Sequence, residues 1–145
     1  EFEIAANDVC ETAIPIAANG NEQVEGSTIN SLPDNITCYW YSSNAPGVWY
    51  SVVGTGQTMV ASTCSSFLNF ESSIYVFSGE CDSFECVASS QYGYSSCGDS
   101  VYGGRQVSFR TENGVDYYIL VTGAYSSAVG DFVLSLVDIV SPPND

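Results

Sequence analysis

The sequence contains no histidine and no lysine, and its two basic residues are Arg105 and Arg110. Without histidine, the chain cannot form a Ser-His-Asp or Cys-His catalytic arrangement, nor a zinc site that uses imidazole. Without clustered cations it lacks the groups with which proteins neutralise nucleic-acid phosphates. The longest apolar run, FVLSLVDIV, is about half of the ~18 residues of a membrane span and includes Asp138. We therefore expect no nucleic-acid partner and no membrane span.

The chain is strongly acidic, with 17 acids and a net charge of −15 over 145 residues. Such a charge fits a well-solvated surface, a calcium-rich medium or a cationic partner. Hydrophobic residues make up 45% of the sequence, which argues against intrinsic disorder. The length suits one domain with a substantial core.

The six cysteines are even in number and contain no CxxC pair. Zinc sites made of thiolates use close pairs of ligands, and thioredoxin-type redox pairs use CxxC, so we expect three disulfides and a secreted or cell-surface location. The six residues are Cys10, Cys38, Cys64, Cys81, Cys86 and Cys97.

Two of the cysteines lie in the stretch GECDSFEC, between two strand-like runs. A turn at residues 82–85 would place Cys81 opposite Cys86, at the Cα separation that a disulfide needs. This predicts a Cys81–Cys86 bridge. The other four cysteines allow three pairings, of which we favour Cys10–Cys38 and Cys64–Cys97.

Helix signals are almost absent, apart from a short turn at 8–13 that Asp8 could cap. Runs rich in Val, Ile, Thr, Tyr and Phe recur between Gly, Ser and Asn clusters, which is typical of an all-β sandwich. The predicted strands are 22–29, 47–54, 57–64, 72–78, 85–90, 105–112, 115–123 and 130–138. Alternation assigns these residues to the core face: Val48, Tyr50, Val52, Met59, Ala61, Thr63, Ile74, Val76, Val107, Phe109, Tyr117, Ile119, Val121, Phe132, Leu134 and Leu136.

Two features fall outside this alternation. Tyr118 and Leu120 are apolar residues of the opposite parity, so the strand at 115–123 is expected to be covered on both faces. Trp49 faces away from Val48 and Tyr50, and we expect it under a loop or against a neighbouring domain.

Five motifs occur in order along the chain: NDVCETA, GVWYSVVGTG, MVASTC, FESSIYVFSGEC with ECVASS, and GVDYYILVTG with GDFVLSL. Together they resemble the bacterial pre-peptidase C-terminal (PPC) domain and its relatives. The resemblance implies a jelly-roll-like antiparallel β-sandwich of about 8–9 strands. It also implies a non-catalytic module of secreted proteases and adhesion proteins, with a role in targeting, solubility or substrate binding.

The expected organisation is an N-terminal extension or cloning scar at 1–6, a single module at 7–138 and a linker at 139–145. The final Pro-Pro-Asn-Asp repeats the Asn-Asp that opens the module, so we expect a neighbouring repeat in the same protein, with the prolines as a semi-rigid spacer.

Three kinds of candidate site can be named. A calcium site would use carboxylates on converging loops, and the alternative, which we favour, is that these acids only keep loops and edges soluble. The candidates are Glu71, Glu80, Asp82 and Asp99. The sequence departs from the family pattern at Phe70-Glu71-Ser72 and Ser89-Ser90-Gln91, where the family commonly carries Phe-Asp-Thr and Asn-Asp-Asp. Asn35 opens an Asn-Ile-Thr glycosylation sequon.

A carbohydrate or protein surface would be bound through exposed aromatic rings, which combine apolar area with a hydrogen-bonding group. The alternative is that Trp40 and one tyrosine close the end of the core. The candidates are Tyr39, Trp40, Tyr41, Tyr92, Tyr94 and Tyr102.

The function expected from the sequence is a non-catalytic adhesion, binding or spacer module of a larger extracellular protein. A calcium-dependent carbohydrate-binding module and an accessory domain of a secreted protease are the alternatives. Carboxylate-based catalysis is not expected, because no feature pairs two acids in a cleft.

Overall fold

The computed structural model describes residues 4–18, 21–38, 41–64, 68–90, 97 and 104–139, with the backbone alone at Tyr41. A short 3₁₀ turn, Cys10–Thr12, precedes the first strand, and the described residues include no helix that could cross a membrane. The strands are β1 (Ile14–Pro15), β2 (Asn21–Ser27), β3 (Ile36–Cys38), β4 (Tyr41–Ser43), β5 (Gly47–Val53), β6 (Thr58–Ser62), β7 (Ser72–Glu80), β8 (Ser83–Ser89), β9 (Gln106–Arg110), β10 (Asp116–Gly123) and β11 (Asp131–Ile139).

The strands form two facing sheets and one small hairpin. The five-stranded sheet has the order β1-β5-β10-β7-β8, the four-stranded sheet has the order β2-β11-β6-β9, and β3 pairs with β4. All pairs are antiparallel except β1 with β5. The chain passes from one sheet to the other between β1 and β2, β5 and β6, β6 and β7, and on each step from β8 to β11. The predicted all-β, jelly-roll-like sandwich with three disulfides is confirmed.

The main core lies between the sheets and contains the residues that alternation assigned to it. Thr63 is also fully buried, and its hydroxyl is 2.8 Å from that of Ser72. Rings from the two sheets meet edge to face, with 6.3 Å between the centroids of Tyr50 and Phe132. The period of two therefore placed the apolar side chains correctly because one face of each strand must be buried.

A second, smaller core lies on the outer face of the five-stranded sheet. It comprises Cys10, Cys38, Trp49, Tyr75, Phe77 and Leu120. Leu120 is fully buried and Tyr118 packs against this cluster. The expectation that β10 is covered on both faces is confirmed. The covering elements are the 3₁₀ turn and the β3–β4 hairpin.

The disulfides are Cys10–Cys81, Cys38–Cys86 and Cys64–Cys97, with Cα separations of 5.7, 5.3 and 5.6 Å. The predicted Cys64–Cys97 bridge is confirmed. The predicted Cys81–Cys86 and Cys10–Cys38 bridges are wrong.

The error arises from the position of a turn. Cys81 and Asp82 themselves form the turn between β7 and β8, so that Glu80 pairs with Ser83, and Cys86 lies across from Phe77. Cys81 and Cys86 are therefore not opposed. Each cysteine instead bonds to an element that covers the outer face of the sheet, Cys81 to the 3₁₀ turn and Cys86 to β3.

Candidate binding site

The β3–β4 hairpin is the element that most distinguishes the outer face of the five-stranded sheet. Ile36 pairs with Ser43 and Cys38 pairs with Tyr41. Cys38 is fully buried, and its disulfide to Cys86 fixes the hairpin to β8. The hairpin is therefore a covalently attached cover and not a free loop.

The base of the hairpin is closed by backbone contacts between its entry and exit and is attached to the sheet by a threonine side chain. Pro33 and Pro46 form an isolated antiparallel bridge. The Asp34 amide donates a 3.3 Å hydrogen bond to the carbonyl of Ala45. The hydroxyl of Thr122 on β10 donates to the carbonyl of Pro46 at 2.8 Å. These contacts connect the entry and exit of the hairpin to the central strand of the sheet.

A shallow, open pocket of about 430 Å³ lies along the hairpin. It is lined by Asn35, Ile36, Thr37, Ser42, Ser43 and Asn44. All but Ile36 offer amide or hydroxyl groups, which can both donate and accept hydrogen bonds. None of these six described residues is charged, so the described lining suits a neutral, hydroxyl-rich ligand better than an ion.

Beneath the hairpin, Trp49 belongs to a stack of aromatic rings. Its ring centroid is 5.3 Å from that of Phe84 and 5.8 Å from that of Phe77, and Phe77 and Phe84 are 4.8 Å apart. Only 2% of Trp49 is exposed. The expectation that Trp49 lies under a loop is confirmed, because the base of the hairpin covers its indole ring.

Asp34, in that base, is a half-buried acid that contacts Trp49. The indole N–H of Trp49 donates to Oδ1 of Asp34 at 3.2 Å. Oδ2 of Asp34 is buried and finds no hydrogen-bond partner among the described residues. Burial raises the pKa of Asp34 to about 6; the Trp49 hydrogen bond lowers it and the charge of Asp8 raises it.

Asp8 and Asn7 attach the N-terminal segment to the same region. Asn7 exchanges two hydrogen bonds with Trp49, from its side chain to the Trp49 carbonyl at 2.8 Å and from the Trp49 amide to its own carbonyl at 2.9 Å. Oδ1 of Asp8 accepts from the Leu32 amide at 2.7 Å. Asp8 therefore does not cap the 3₁₀ turn, which has no side-chain cap. It binds a segment remote in sequence instead.

Sequence reasoning identified neither Asp34 nor its relation to Asp8 and Trp49. The Asn7-Asp8 pair was noticed as the start of the module, but its partners at residues 32–49 are set by tertiary packing. The signal available in the sequence was Trp49, which alternation places on the face opposite to Val48 and Tyr50, together with the acid of the Pro33-Asp34-Asn35 stretch.

The aromatic candidates are mostly outside the described residues. Of them, the structure describes only the backbone of Tyr41, which pairs with Cys38 in β4. The residues that line the hairpin pocket come directly before and after the CYWY stretch in the sequence. The candidates outside the description are Tyr39, Trp40, Tyr92, Tyr94 and Tyr102.

The structure does not bring the calcium candidates together. Glu71 precedes β7, whereas Glu80 ends it and Asp82 follows it, so a nine-residue strand of roughly 30 Å separates Glu71 from the other two. Asp99 lies outside the described residues. Among the residues that the structure does describe, no group of three or more His, Cys, Asp or Glu side chains is suited to a metal ion.

Arg105 forms an ion pair with Glu71 at 3.8 Å. A half-exposed pair of this kind contributes little to stability. Asn35 and Thr37 of the sequon are both exposed.

Comparison with solved structures finds similar folds. The periplasmic lysozyme inhibitor PliG of Aeromonas hydrophila, which inhibits g-type lysozyme, has a TM-score of 0.51 and 11% identity, over 86% of this chain and 96% of that chain. CorA, a surface-associated copper-binding protein of Methylomicrobium album BG8, has a TM-score of 0.48 and 10% identity, over 89% and 99% of the two chains. At 11% identity the likeness to the inhibitor is one of fold alone. No protein-family model and no curated protein sequence matches the chain.

Proposed function

We propose that this protein is a non-catalytic binding module of a larger secreted or cell-surface protein, with a role in adhesion. The observation that carries this proposal is the polar pocket on a hairpin that a disulfide holds against the sheet. A rigid scaffold that presents a short hairpin is a common arrangement for recognition. Three disulfides support an oxidising, extracellular or periplasmic location.

The ligand class that the pocket supports best is a neutral carbohydrate. Amide and hydroxyl side chains are suited to sugar hydroxyls, and the neighbouring CYWY stretch supplies rings of the kind that stack on sugars. The lining residues that the structure describes include no acid, so we propose binding without calcium at this pocket. A spacer role with no ligand, calcium-dependent binding and service as an accessory domain of a protease remain the competing functions.

We also retain the relationship to PPC domains as a proposal, on the five sequence motifs. It agrees with a non-catalytic role. Copies of the unit beside it in the full-length gene would favour adhesion, and an adjoining protease domain would favour the accessory role.

Binding to a glycan array, with unglycosylated protein, tests the carbohydrate proposal. We expect binding that survives a chelator and that is lost in Asn44→Ala, because Asn44 lines the pocket. Asn113→Ala is the matched control, since Asn113 is exposed in the turn before β10. Trp40→Ala and Tyr94→Ala test the predicted aromatic contacts. Binding that is equal in Asn44→Ala and in the control would contradict the proposed site.

A further inference from the structure

Two acids near the base of the hairpin, Asp8 and Asp34, differ in how fully their carboxylate oxygens are hydrogen-bonded. Asp8 is buried and accepts a short hydrogen bond from the Leu32 amide. Asp34 accepts one from the Trp49 indole through Oδ1, while its buried Oδ2 finds no donor among the described residues. A buried carboxylate oxygen without a donor is costly when it is charged and far less costly when it is protonated.

The charge near Asp34 favours its protonated form, as burial does. Asp8, on the N-terminal segment, is the titratable group whose charge acts on it, and it is an acid. Trp49, on β5, supplies a neutral donor. Of the two arginines, Arg105 is paired with Glu71 and Arg110 belongs to β9 in the other sheet. Protonation of Asp34 relieves the repulsion that the charge of Asp8 exerts on it.

We propose that Asp34 and Asp8 form a proton-dependent latch, which is closed when Asp34 is protonated and loosens the base of the β3–β4 hairpin when Asp34 ionises. On ionisation, the buried Oδ2 of Asp34 gains a hydrogen-bond donor by moving toward solvent, away from Trp49. The backbone contacts of Pro33 and Asp34 with Ala45 and Pro46 then weaken.

The two neighbouring disulfides limit how far the latch can open. Cys38–Cys86 holds the far end of β3 on the sheet, and Cys10–Cys81 holds the 3₁₀ turn next to Asp8. Opening is therefore a local change of the hairpin base and not unfolding. Because the pocket begins at Asn35, next to Asp34, we expect the shape of the pocket to change with pH. The relevance of this change to ligand binding rests on the proposed function, whereas the latch itself does not.

The titration of Asp34 falls where such a latch is useful. Its pKa of about 6 places the change between mildly acidic and neutral surroundings, whereas an ordinary aspartate would titrate near 3.8. The latch is closed below this pH and loosened above it.

Fluorescence of Trp49 tests the latch in the full chain. The Trp40→Phe variant leaves Trp49 as its one tryptophan. We expect its emission to change with a midpoint near pH 6, and amide exchange at residues 33–46, corrected for intrinsic rates, to be at least threefold faster at pH 7.5 than at pH 5. Asp34→Asn should abolish both changes and Asp8→Asn should lower the midpoint. Asp116→Asn, at an exposed site, is the matched control and should alter neither.

Three results would overturn the latch. The first is tryptophan emission and amide exchange that stay constant between pH 4.5 and 8 in the Trp40→Phe protein. This protein keeps both Asp8 and Asp34, so the result does not depend on whether a variant at either acid folds. The second is an unaltered transition in Asp34→Asn. The third is protection of the hairpin by calcium at pH 7.5 that Asp34→Asn removes, because the pair would then hold a cation. Loss of glycan binding with an intact transition would count against the proposed function and leave the latch standing.

Discussion

Cys10 and Cys81 are 71 positions apart in the chain and are joined by a disulfide with 5.7 Å between their Cα atoms. This bond ties the N-terminal segment, which carries Asn7 and Asp8, to the β7–β8 turn. The cysteines of this bond and of Cys38–Cys86 pack against the aromatic cluster around Trp49. Both bonds therefore lie on the outer face of the five-stranded sheet. The cysteines that covalently define this face are therefore also those that position the candidate binding site.

The pairing can be verified by peptide mapping under non-reducing conditions. Chymotryptic cleavage after Phe84 separates Cys81 from Cys86. We expect Cys81 to appear linked to the peptide of Cys10, and Cys86 linked to that of Cys38. A Cys81–Cys86 link that holds the two halves of GECDSFEC together would contradict the structure.

Removal of the Cys38–Cys86 bond, as Cys38→Ala with Cys86→Ala, should lower the free energy of unfolding by about 4 kcal/mol, because the bond closes a long loop. Urea denaturation measures this loss. Cys64→Ala with Cys97→Ala is the matched control: it should cost a similar amount but leave Trp49 emission unchanged, since that bond lies outside the aromatic cluster. If the emission changed equally in the two double variants, the Cys38–Cys86 bond would have no special role in holding the hairpin over Trp49.

The sequence predicted the sandwich well because its strands obey a strong local rule. All eight predicted strands occur, as β2 and β5–β11, with ends that shift by a few residues. Val48, Tyr50 and Val52 of β5 lie in the main core as their alternation required. A strand that buries one face must show this period, so a single sequence suffices to find it.

The outer face could not be predicted in the same way. β1, β3 and β4 have two or three residues each, too few for alternation to be visible. Asp34 and Trp49 meet only because the hairpin folds back over β5. The disulfide error had the same origin: proximity in sequence favoured Cys81–Cys86, whereas tertiary packing determined both partners.

Leu120→Ala should destabilise the protein by about 2–5 kcal/mol, because the side chain is fully buried in the outer cluster and the sheet cannot close the resulting cavity. Val53→Ala on β5 is the matched control; Val53 is 53% exposed and its truncation should change stability by no more than about 0.5 kcal/mol. Thermal or urea denaturation measures both. A loss below ~1 kcal/mol in Leu120→Ala would mean that the outer face is not a packed core.

Asp34 should make the stability of the protein depend on pH in a defined direction. Because its pKa is raised in the folded state, the folded protein binds more protons than the unfolded chain between about pH 4 and 6. The contribution of Asp34 to stability is therefore fully present below the ordinary pKa and is lost as the pH rises through about 6. The free energy of unfolding of Asp34→Asn, minus that of the parent protein, should therefore be larger at pH 7.5 than at pH 5.

The expected gain is about 1–2 kcal/mol, after allowance for the solvent that reaches this half-buried group. Urea denaturation of both proteins at the two pH values measures it. Asp116→Asn, which removes the same charge at an exposed position, controls for the net charge of −15. A gain of equal size in that control would assign the effect to overall repulsion and not to Asp34.

Asn35 should carry an N-linked glycan when the chain passes through a eukaryotic secretory pathway. Asn35 and Thr37 are exposed, so the sequon is accessible on the folded surface. Intact-mass measurement should show one glycan, which is removed by Asn35→Gln. Since Asn35 also lines the hairpin pocket, a glycan there should weaken ligand binding, and enzymatic deglycosylation should restore it. Unchanged binding before and after deglycosylation, with the glycan confirmed by mass, would place the ligand away from the Asn35 end of the pocket.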